Sequence, residues 1–173
     1  MTLVIRPVEA HELAALSATA SQTYAETFGH TMSAADLEAQ LRTKRSEAYF
    51  KDVIEKDTVL VAVKEGEIAG YIQLSDLSFA VAGAVAGDQE LFALYVRGVD
   101  QGKGIGRALM MAAFDQPRFK RAPHVYLDVW AENERALRLY RAWGFSVVGR
   151  RDFVVEGRIL GRDLVMMRPG AAS

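Results

Sequence analysis

The sequence predicts an α/β protein with a mixed β-sheet. Its second half alternates strand, helix, strand, helix and strand, an order that favours parallel neighbours within one sheet. Its first half contains two apolar runs separated by "EGE", which predicts an antiparallel hairpin. We find no repeat, low-complexity run or Pro/Ser-rich linker, so we expect a single domain over residues 1–173.

The first half is expected to begin with a strand and two helices. "TLVIRPV" predicts the strand, which Pro7 closes. The first helix is predicted from Glu9 to about Ala20, and the second from Ser33, where "SAAD" resembles a capping box. "TVLVAVK" and "EIAGYIQL" are the hairpin strands, and the glycine-rich "SFAVAGAVAGD" is expected to be a loop.

The second half adds four more strands and two helices. "ELFALYV" is a strand by its aromatic and branched residues, and a glycine-rich stretch then opens a helix that runs through Phe114. "HVYLDVW" predicts the next strand, and "NERALRLYRAW" predicts a helix that Gly144 ends. "FSVVGRRDFVV" and "LVMMR" are the last two strands, which makes about seven in all.

Composition limits the classes of function. The chain is 50% hydrophobic and 25% charged with a formal net charge of −1, so we expect neither nucleic acid nor a membrane as its partner. The absence of cysteine excludes a thiolate metal site and a thiol nucleophile, and the three histidines lack metal-ligand spacing, so we expect no metal. No signal peptide is recognisable, which favours the cytoplasm.

The most informative stretch is "VDQGKGIGRAL", a glycine-rich turn between a strand and a helix. Backbone N–H groups of a first helical turn converge, and the helix dipole adds about half a positive charge. Gly102, Gly104 and Gly106 would let a phosphate approach closely, and Arg107 offers a charged donor. A turn without a ligand is the alternative. Neither the nucleoside-triphosphate loop nor the dinucleotide fingerprint matches, since Lys103 precedes a glycine and position 107 is arginine.

Two motifs together resemble the GNAT superfamily of acyl-CoA-dependent N-acyltransferases. Gln101, Gly104 and Gly106 match its coenzyme-A signature, Q/R-x-x-G-x-G/A. The run "LDVWAENERALRLYRAWGF" matches the later block, and the matching positions are Asn133, Ala136, Tyr140, Gly144 and Phe145. The resemblance implies the GNAT fold, in which a mixed sheet of about seven strands is flanked by helices and splayed between strands 4 and 5.

The resemblance also implies acetyl-CoA as co-substrate of a single N-acetyltransferase domain. The cofactor-binding positions are then Leu94, Tyr95, Val96, Gln101, Gly102, Lys103, Gly104, Ile105, Gly106, Arg107, Asn133 and Tyr140. Within this set, backbone N–H groups of the fourth strand are expected to bind the thioester carbonyl.

Asn133 and Tyr140 stand seven residues apart, so on a helix they share one face, about 10 Å apart. Ala136 between them would keep that face low enough for a pantetheine arm. The alternatives are that Asn133 caps the helix and that Tyr140 is a core aromatic. By resemblance Tyr140 is the acid that protonates the leaving thiolate, a role that suits a phenol with its pKa near 10.

Attack by an amine on a thioester requires the amine to lose a proton. Glu90, at the start of the fourth strand, is the candidate base and would act through a water. A carboxylate with an ordinary pKa near 4.3 is a poor base unless burial raises that pKa. A solvated charge at the end of a strand is the alternative for Glu90.

The acceptor is expected to be a small-molecule primary amine. The sequence looks similar to the bacterial spermidine/spermine N-acetyltransferase branch, and a polyamine would need carboxylates such as Glu26, Asp76, Asp88 and Glu90. Three arginines oppose this: Arg150, Arg151 and Arg158. The alternatives are a protein or peptide N-terminal amine, an antibiotic amine, and a non-catalytic acyl-CoA-binding module. Many GNAT proteins pair, so the resemblance allows a homodimer.

Overall fold

The computed structural model describes residues 2–171, and within them it contains the mixed, seven-stranded sheet that the sequence predicts. The strands are β1 (Leu3–Pro7), β2 (Thr58–Lys64), β3 (Glu67–Asp76), β4 (Gln89–Val96), β5 (His124–Trp130), β6 (Ser146–Val155) and β7 (Arg158–Pro169). Their order across the sheet is β1-β2-β3-β4-β5-β7-β6. β4 and β5 pair in parallel, whereas β1 with β2, β2 with β3, β5 with β7 and β6 with β7 are antiparallel.

The helices of the described chain are α1 (Leu13–Phe28), α2 (Ala34–Lys44), α3 (Glu47–Val53), α4 (Ile105–Phe114), α5 (Pro117–Arg121) and α6 (Glu134–Ala142). α2 begins as predicted, because the Ser33 side chain accepts a hydrogen bond from the Asp36 backbone N–H at 3.1 Å. Among these residues, no helix has both the length and the apolar character of a membrane-spanning segment.

Four elements differ from the prediction, and one of them is α5, a short helix that was not predicted. α1 extends eight residues beyond Ala20 to Phe28, since its buried positions continue at helical spacing through Tyr24. α3 was not predicted, although Ser46 caps it by accepting from the Tyr49 N–H at 3.1 Å. β7 begins at Arg158, well before "LVMMR", because its polar first half pairs with β6 in a hairpin.

The chain divides into two compact units. The first runs to Leu74 and includes Ala93–Ala113; the second comprises Ser75–Phe92 and the chain from Phe114 onward.

In the first unit, α1, α2 and α3 pack together, and buried rings surround Tyr71 of β3. The Tyr71 ring lies edge-on to Phe50, with centroids 5.8 Å apart, and stacks on Tyr95 of β4 at 5.9 Å. Burial raises the pKa of the Tyr71 phenol. This cluster sets the position of Tyr95, one of the predicted cofactor-binding residues.

In the second unit, the beginnings of β4 and β5 are held together by Asp88. Its Oδ1 accepts from the His124 backbone N–H at 3.0 Å and lies 2.9 Å from His124 Nδ1, while its Oδ2 accepts from the Val85 N–H at 2.8 Å. The described β4–β5 pairing comprises Gln89 opposite Val125 and Glu90 opposite Tyr126. The splay between strands 4 and 5 stays a prediction. Asp88 is 4% exposed, so it is not an accessible acceptor-binding carboxylate.

Candidate active site

The loop between β4 and α4 presents a row of unpaired backbone donors. A 3-10 turn, Gly98–Asp100, follows β4, and α4 begins at Ile105. Within the described chain, none of the backbone N–H groups of residues 102–107 donates a hydrogen bond to another residue. The helical series starts with the Ala108 N–H, which donates to the Gly104 carbonyl at 3.0 Å. Free donors at a helix N-terminus are suited to binding an anion.

Two glycines in this loop adopt left-handed backbone conformations. Gly102 has φ +80° and Gly104 has φ +81°, and a Cβ built at either position would meet no heavy atom within 4 Å. The backbone conformation therefore requires glycine here, whereas crowding within the chain does not. Left-handed residues among consecutive free N–H groups form the concave sites that bind phosphate in many proteins.

The other loop residues make distinct contacts. Gln101 Nε2 donates to the Val96 carbonyl at 3.1 Å, so its side chain bridges the turn. Lys103 Nζ donates to Asp100 Oδ1 at 3.2 Å. The Ile105 side chain is buried and anchors α4 in the core, while Arg107 is exposed. Ile105 is one of the predicted cofactor-binding residues, and because its side chain is buried it can offer a ligand only its backbone.

The strand residues of the predicted site are half-buried. Leu94, Tyr95 and Val96 form the end of β4. Gly70 of β3 lies against this segment, since a Cβ there would come within 2.6 Å of the Tyr95 carbonyl oxygen. Any larger residue at position 70 would push β4 away, so Gly70 supports the strand at which the thioester is expected.

Glu90 is buried in the second unit, with 2% of its surface exposed. Its Oε2 accepts hydrogen bonds from the Ser78 backbone N–H at 2.8 Å and from Ser78 Oγ at 2.6 Å. Burial raises the pKa of Glu90, and the two hydrogen bonds from Ser78 oppose that rise in part. The alternative of a solvated strand-end charge is therefore wrong, and Glu90 has the environment that a carboxylate base requires.

Further charged groups accompany Glu90 in the second unit. Arg151 Nη1 donates to Asp128 Oδ2 at 3.0 Å, and the Arg151 guanidinium carbon lies 4.4 Å from the centre of the Phe79 ring. Asp163 lies opposite Arg151 in the β6–β7 register. Burial, with the nearby charge of Asp128, raises the pKa of Asp163 to about 6.

Replacing Asp163 with asparagine should stabilise the protein above pH 7. A carboxyl whose pKa is raised to about 6 on folding destabilises the folded state once ionised, and this penalty grows from about pH 4 to pH 6. A shift of about two pKa units, reduced by solvent screening at this half-buried position, corresponds to about 1–2 kcal/mol. Thermal unfolding at pH 8 and pH 4 measures it. An equal gain at both pH values would contradict the titration.

Asn133 and Tyr140 lie at opposite ends of α6. Asn133 is the N-cap, and its Oδ1 accepts from the Ala136 backbone N–H at 3.2 Å, so the capping alternative is confirmed for that oxygen. Tyr140 is 7% exposed, and its ring lies edge-on to Phe145 with centroids 5.9 Å apart. The ring thus belongs to the core of the second unit, and the role of its hydroxyl stays a prediction.

The other two carboxylates considered for the acceptor, Glu26 and Asp76, also have partners inside the protein. Glu26 Oε2 accepts from the Gly98 backbone N–H at 3.0 Å, so it supports the turn before the glycine-rich loop. Asp76 Oδ1 accepts from Gln89 Nε2 at 3.0 Å. Arg150 and Arg158 are exposed. Among residues 2–171, no group of three or more His, Cys, Asp or Glu side chains is placed to hold a metal ion.

The sequence alone did not reveal Ser78, Asp128 or Asp163, because they come from a loop and two strands that only the fold brings together with Glu90. No local spacing signals such a group. Asp100 was also missed, although it stands directly before the recognised motif.

The sequence matches the profile of the Acetyltransferase (GNAT) family over residues 19–145. The chain belongs to this family. Acetyl-CoA is the co-substrate of GNAT acetyltransferases, and the unpaired backbone donors at the start of α4 are suited to the diphosphate of such a molecule.

Curated GNAT relatives match parts of the chain. Mycothiol acetyltransferase of Acidothermus cellulolyticus is 32% identical over 141 residues, which are 77% of this chain and 38% of that protein. The N-alpha-acetyltransferase RimI of Mycobacterium tuberculosis is 42% identical over 81 residues, 44% of this chain and 48% of that protein. The chain thus spans less than half the length of these relatives.

Solved structures confirm the GNAT fold. PaiA N-acetyltransferase of Thermoplasma acidophilum, solved in complex with coenzyme A, superposes with a TM-score of 0.78 at 22% identity, covering 98% of this chain and 99% of that one. The ribosomal-protein-alanine N-acetyltransferase of Brucella melitensis gives a TM-score of 0.68 at 26% identity, covering 96% and 99%. These relatives do not single out the spermidine/spermine branch.

Proposed function

We propose that this protein is an N-acetyltransferase that moves an acetyl group from acetyl-CoA to a primary amine by direct attack on the thioester. The observation that carries the proposal is the row of unpaired N–H groups at residues 102–107, with left-handed Gly102 and Gly104 among them. We assign the diphosphate of acetyl-CoA to this loop. The proposal treats residues 1–173 as one N-acetyltransferase domain in the cytoplasm.

The chemistry is divided among three groups in this proposal. Glu90 accepts the proton of the incoming amine through a water. Backbone N–H groups of residues 94–96 bind the thioester oxygen, whose negative charge grows as the amine attacks. Tyr140 then protonates the departing thiolate, and Asn133 contacts the pantetheine arm with the part of its amide that does not cap α6.

Replacing Glu90 with glutamine should slow turnover most at pH values above the pKa of Glu90, where the wild-type carboxylate is ionised and can act as the base. The pKa of Glu90 is raised by burial, so the wild-type rate should climb as pH rises through that pKa and the base form accumulates. The glutamine variant keeps the shape of the side chain but cannot accept a proton. Its pH–rate profile should therefore lose the rise at the pKa of Glu90, while the KM for acetyl-CoA stays within about twofold. A Ser78→Ala variant removes one hydrogen bond that favours the ionised form of Glu90. It should raise the pKa of Glu90 and move the rise in the pH–rate profile to higher pH. An unchanged profile in both variants would remove Glu90 from the mechanism.

A polyamine is the first acceptor candidate. Its support is a pair of partly exposed carboxylates in the second unit, Asp128 and Asp163, of which Asp128 accepts a hydrogen bond from Arg151. Carboxylates attract a substrate that carries more than one ammonium group.

The N-terminal amine of a protein or peptide is the second candidate. It is favoured by the similarity to RimI of M. tuberculosis and to the B. melitensis ribosomal-protein-alanine enzyme. Such an acceptor carries one amine at the reacting end, so it would not require several carboxylates.

Release of coenzyme A thiol in the presence of an amine panel tests the proposal. The chain contains no cysteine, so a thiol-reactive dye reports only the product. Spermidine, N-terminally free peptides and aminoglycosides separate the acceptor classes, and the elution volume of the enzyme tests the homodimer. Turnover with at least one amine, together with a thermal shift by coenzyme A but not by ATP, supports the assignment. A shift without turnover on any amine would favour a non-catalytic acyl-CoA-binding module, and no shift would contradict acetyl-CoA as the donor.

A further inference from the structure

A buried carboxylate lies directly before the glycine-rich loop. Asp100 is 1% exposed. Its Oδ1 accepts hydrogen bonds from Lys64 Nζ at 2.7 Å and from Lys103 Nζ at 3.2 Å. Its Oδ2 accepts from Arg97 Nε at 2.9 Å. These hydrogen bonds, that from Lys64 above all, hold the pKa of Asp100 well below its usual range, so the group is ionised at neutral pH.

The three cations come from different parts of the first unit. Lys64 ends β2, Arg97 follows β4, and Lys103 lies within the loop itself. Their side chains are 14%, 19% and 44% exposed, respectively. One carboxylate thereby connects the ends of two strands to the middle of the loop, and Lys103 has the longest and most exposed of the three contacts.

Electrostatic attraction of the diphosphate does not explain why a buried carboxylate lies at position 100. A negative charge beside an anion-binding loop repels the anion, and burying a carboxylate costs free energy that only several close partners repay. Lys64, Arg97 and Lys103 would attract a diphosphate more strongly without it. The contacts of Asp100 therefore point to a geometric role.

We infer that Asp100 is a positioning residue, which holds residues 101–107 in the conformation that binds the diphosphate of the acetyl donor. The inference rests on the proposed function. Asp100 acts through Arg97 on one side of the loop and Lys103 within it, so the free N–H groups of residues 102–107 are arranged before the ligand arrives. Such preorganisation lowers the cost of ordering the loop on binding.

Comparing two acetyl donors on an Asp100→Asn variant tests this inference. Acetyl-CoA carries the diphosphate, and S-acetyl-pantetheine lacks it. We expect kcat/KM for acetyl-CoA to fall about tenfold or more while the value for S-acetyl-pantetheine stays within about twofold. The donor ratio is kcat/KM for acetyl-CoA divided by kcat/KM for S-acetyl-pantetheine. Because both donors are measured on one preparation, this ratio does not depend on the fraction of the protein that is folded. General destabilisation would lower both values and leave the ratio unchanged.

Glu67→Gln is the matched control. It removes the other carboxylate that pairs with Arg97, at 2.9 Å, from a side chain that is 73% exposed, and it should leave the donor ratio unchanged. If Asp100→Asn yields no folded protein, the double variant Lys64→Met/Asp100→Asn removes one cation together with the carboxylate and should show the same fall in the ratio.

Two results would overturn the inference. A donor ratio that is unchanged shows that Asp100 does not position the diphosphate loop, and a ratio that rises shows that only its charge matters. Failure of the proposed function looks different, because the wild-type enzyme would then transfer no acetyl group from acetyl-CoA to any amine.

Discussion

Replacing Tyr140 with phenylalanine should lower kcat about a hundredfold, since a positioned proton donor contributes about 10²- to 10⁴-fold. The KM for acetyl-CoA should stay within about twofold, because the variant keeps the ring that packs on Phe145. Steady-state kinetics at saturating amine measure both constants. Tyr71→Phe is the control, since Tyr71 is also a buried tyrosine, and the variant keeps the ring that packs on Tyr95 while removing a hydroxyl for which we propose no role.

The identity of the leaving thiol separates proton donation from packing. When the donor is an acetyl thioester of a more acidic thiol, the thiolate can leave without being protonated, so the deficit of Tyr140→Phe should shrink markedly with such a donor. An equal deficit with both donors would show that the hydroxyl does not act as the acid.

Replacing Gly104 with alanine should raise the KM for acetyl-CoA by about ten- to a hundredfold with little change in kcat. Gly104 has φ +81°, a conformation that costs a residue with a Cβ about 1–2 kcal/mol. The loop escapes that strain by turning its N–H groups away from their present directions, and misplaced donors bind the diphosphate poorly.

Gly157→Ala is the matched control for this prediction. Gly157 has φ +78° with open space around it, and it lies in the β6–β7 turn, which we do not assign to the diphosphate. It should lose a similar amount of stability and keep its KM for acetyl-CoA. Equal KM values for the two variants would argue against a diphosphate at residues 102–107.

The elements that the sequence predicted well are those with local causes. The Ser33 cap, the hairpin of β2 and β3, and the turn from β4 into α4 each follow from residues that are close in sequence. The polar start of β7 could not be predicted, because its pairing with β6 depends on the hairpin as a whole. α3 carried a cap signal at Ser46, but seven residues are too few for a clear periodicity.

In the candidate site, too, the features with local causes were predictable from the sequence and those that depend on tertiary contacts were not. The glycine motif and the block around Tyr140 were recognisable as spacings, since each lies within one segment. The hydrogen bonds from Ser78 to Glu90 and the proximity of Asp128 and Asp163 depend on tertiary contacts between separate segments. Asp100 was adjacent to the motif, with Arg97 and Lys103 each three residues away, but Lys64 becomes its neighbour only in the fold.

Backbone amide NMR is the most direct check on how this protein holds its acetyl donor. Titration with coenzyme A should move the amide signals of residues 102–107, and titration with pantetheine, which has no diphosphate, should leave them in place. Saturable coenzyme A binding that leaves these amides unmoved would contradict the account, because the donor would then be held elsewhere.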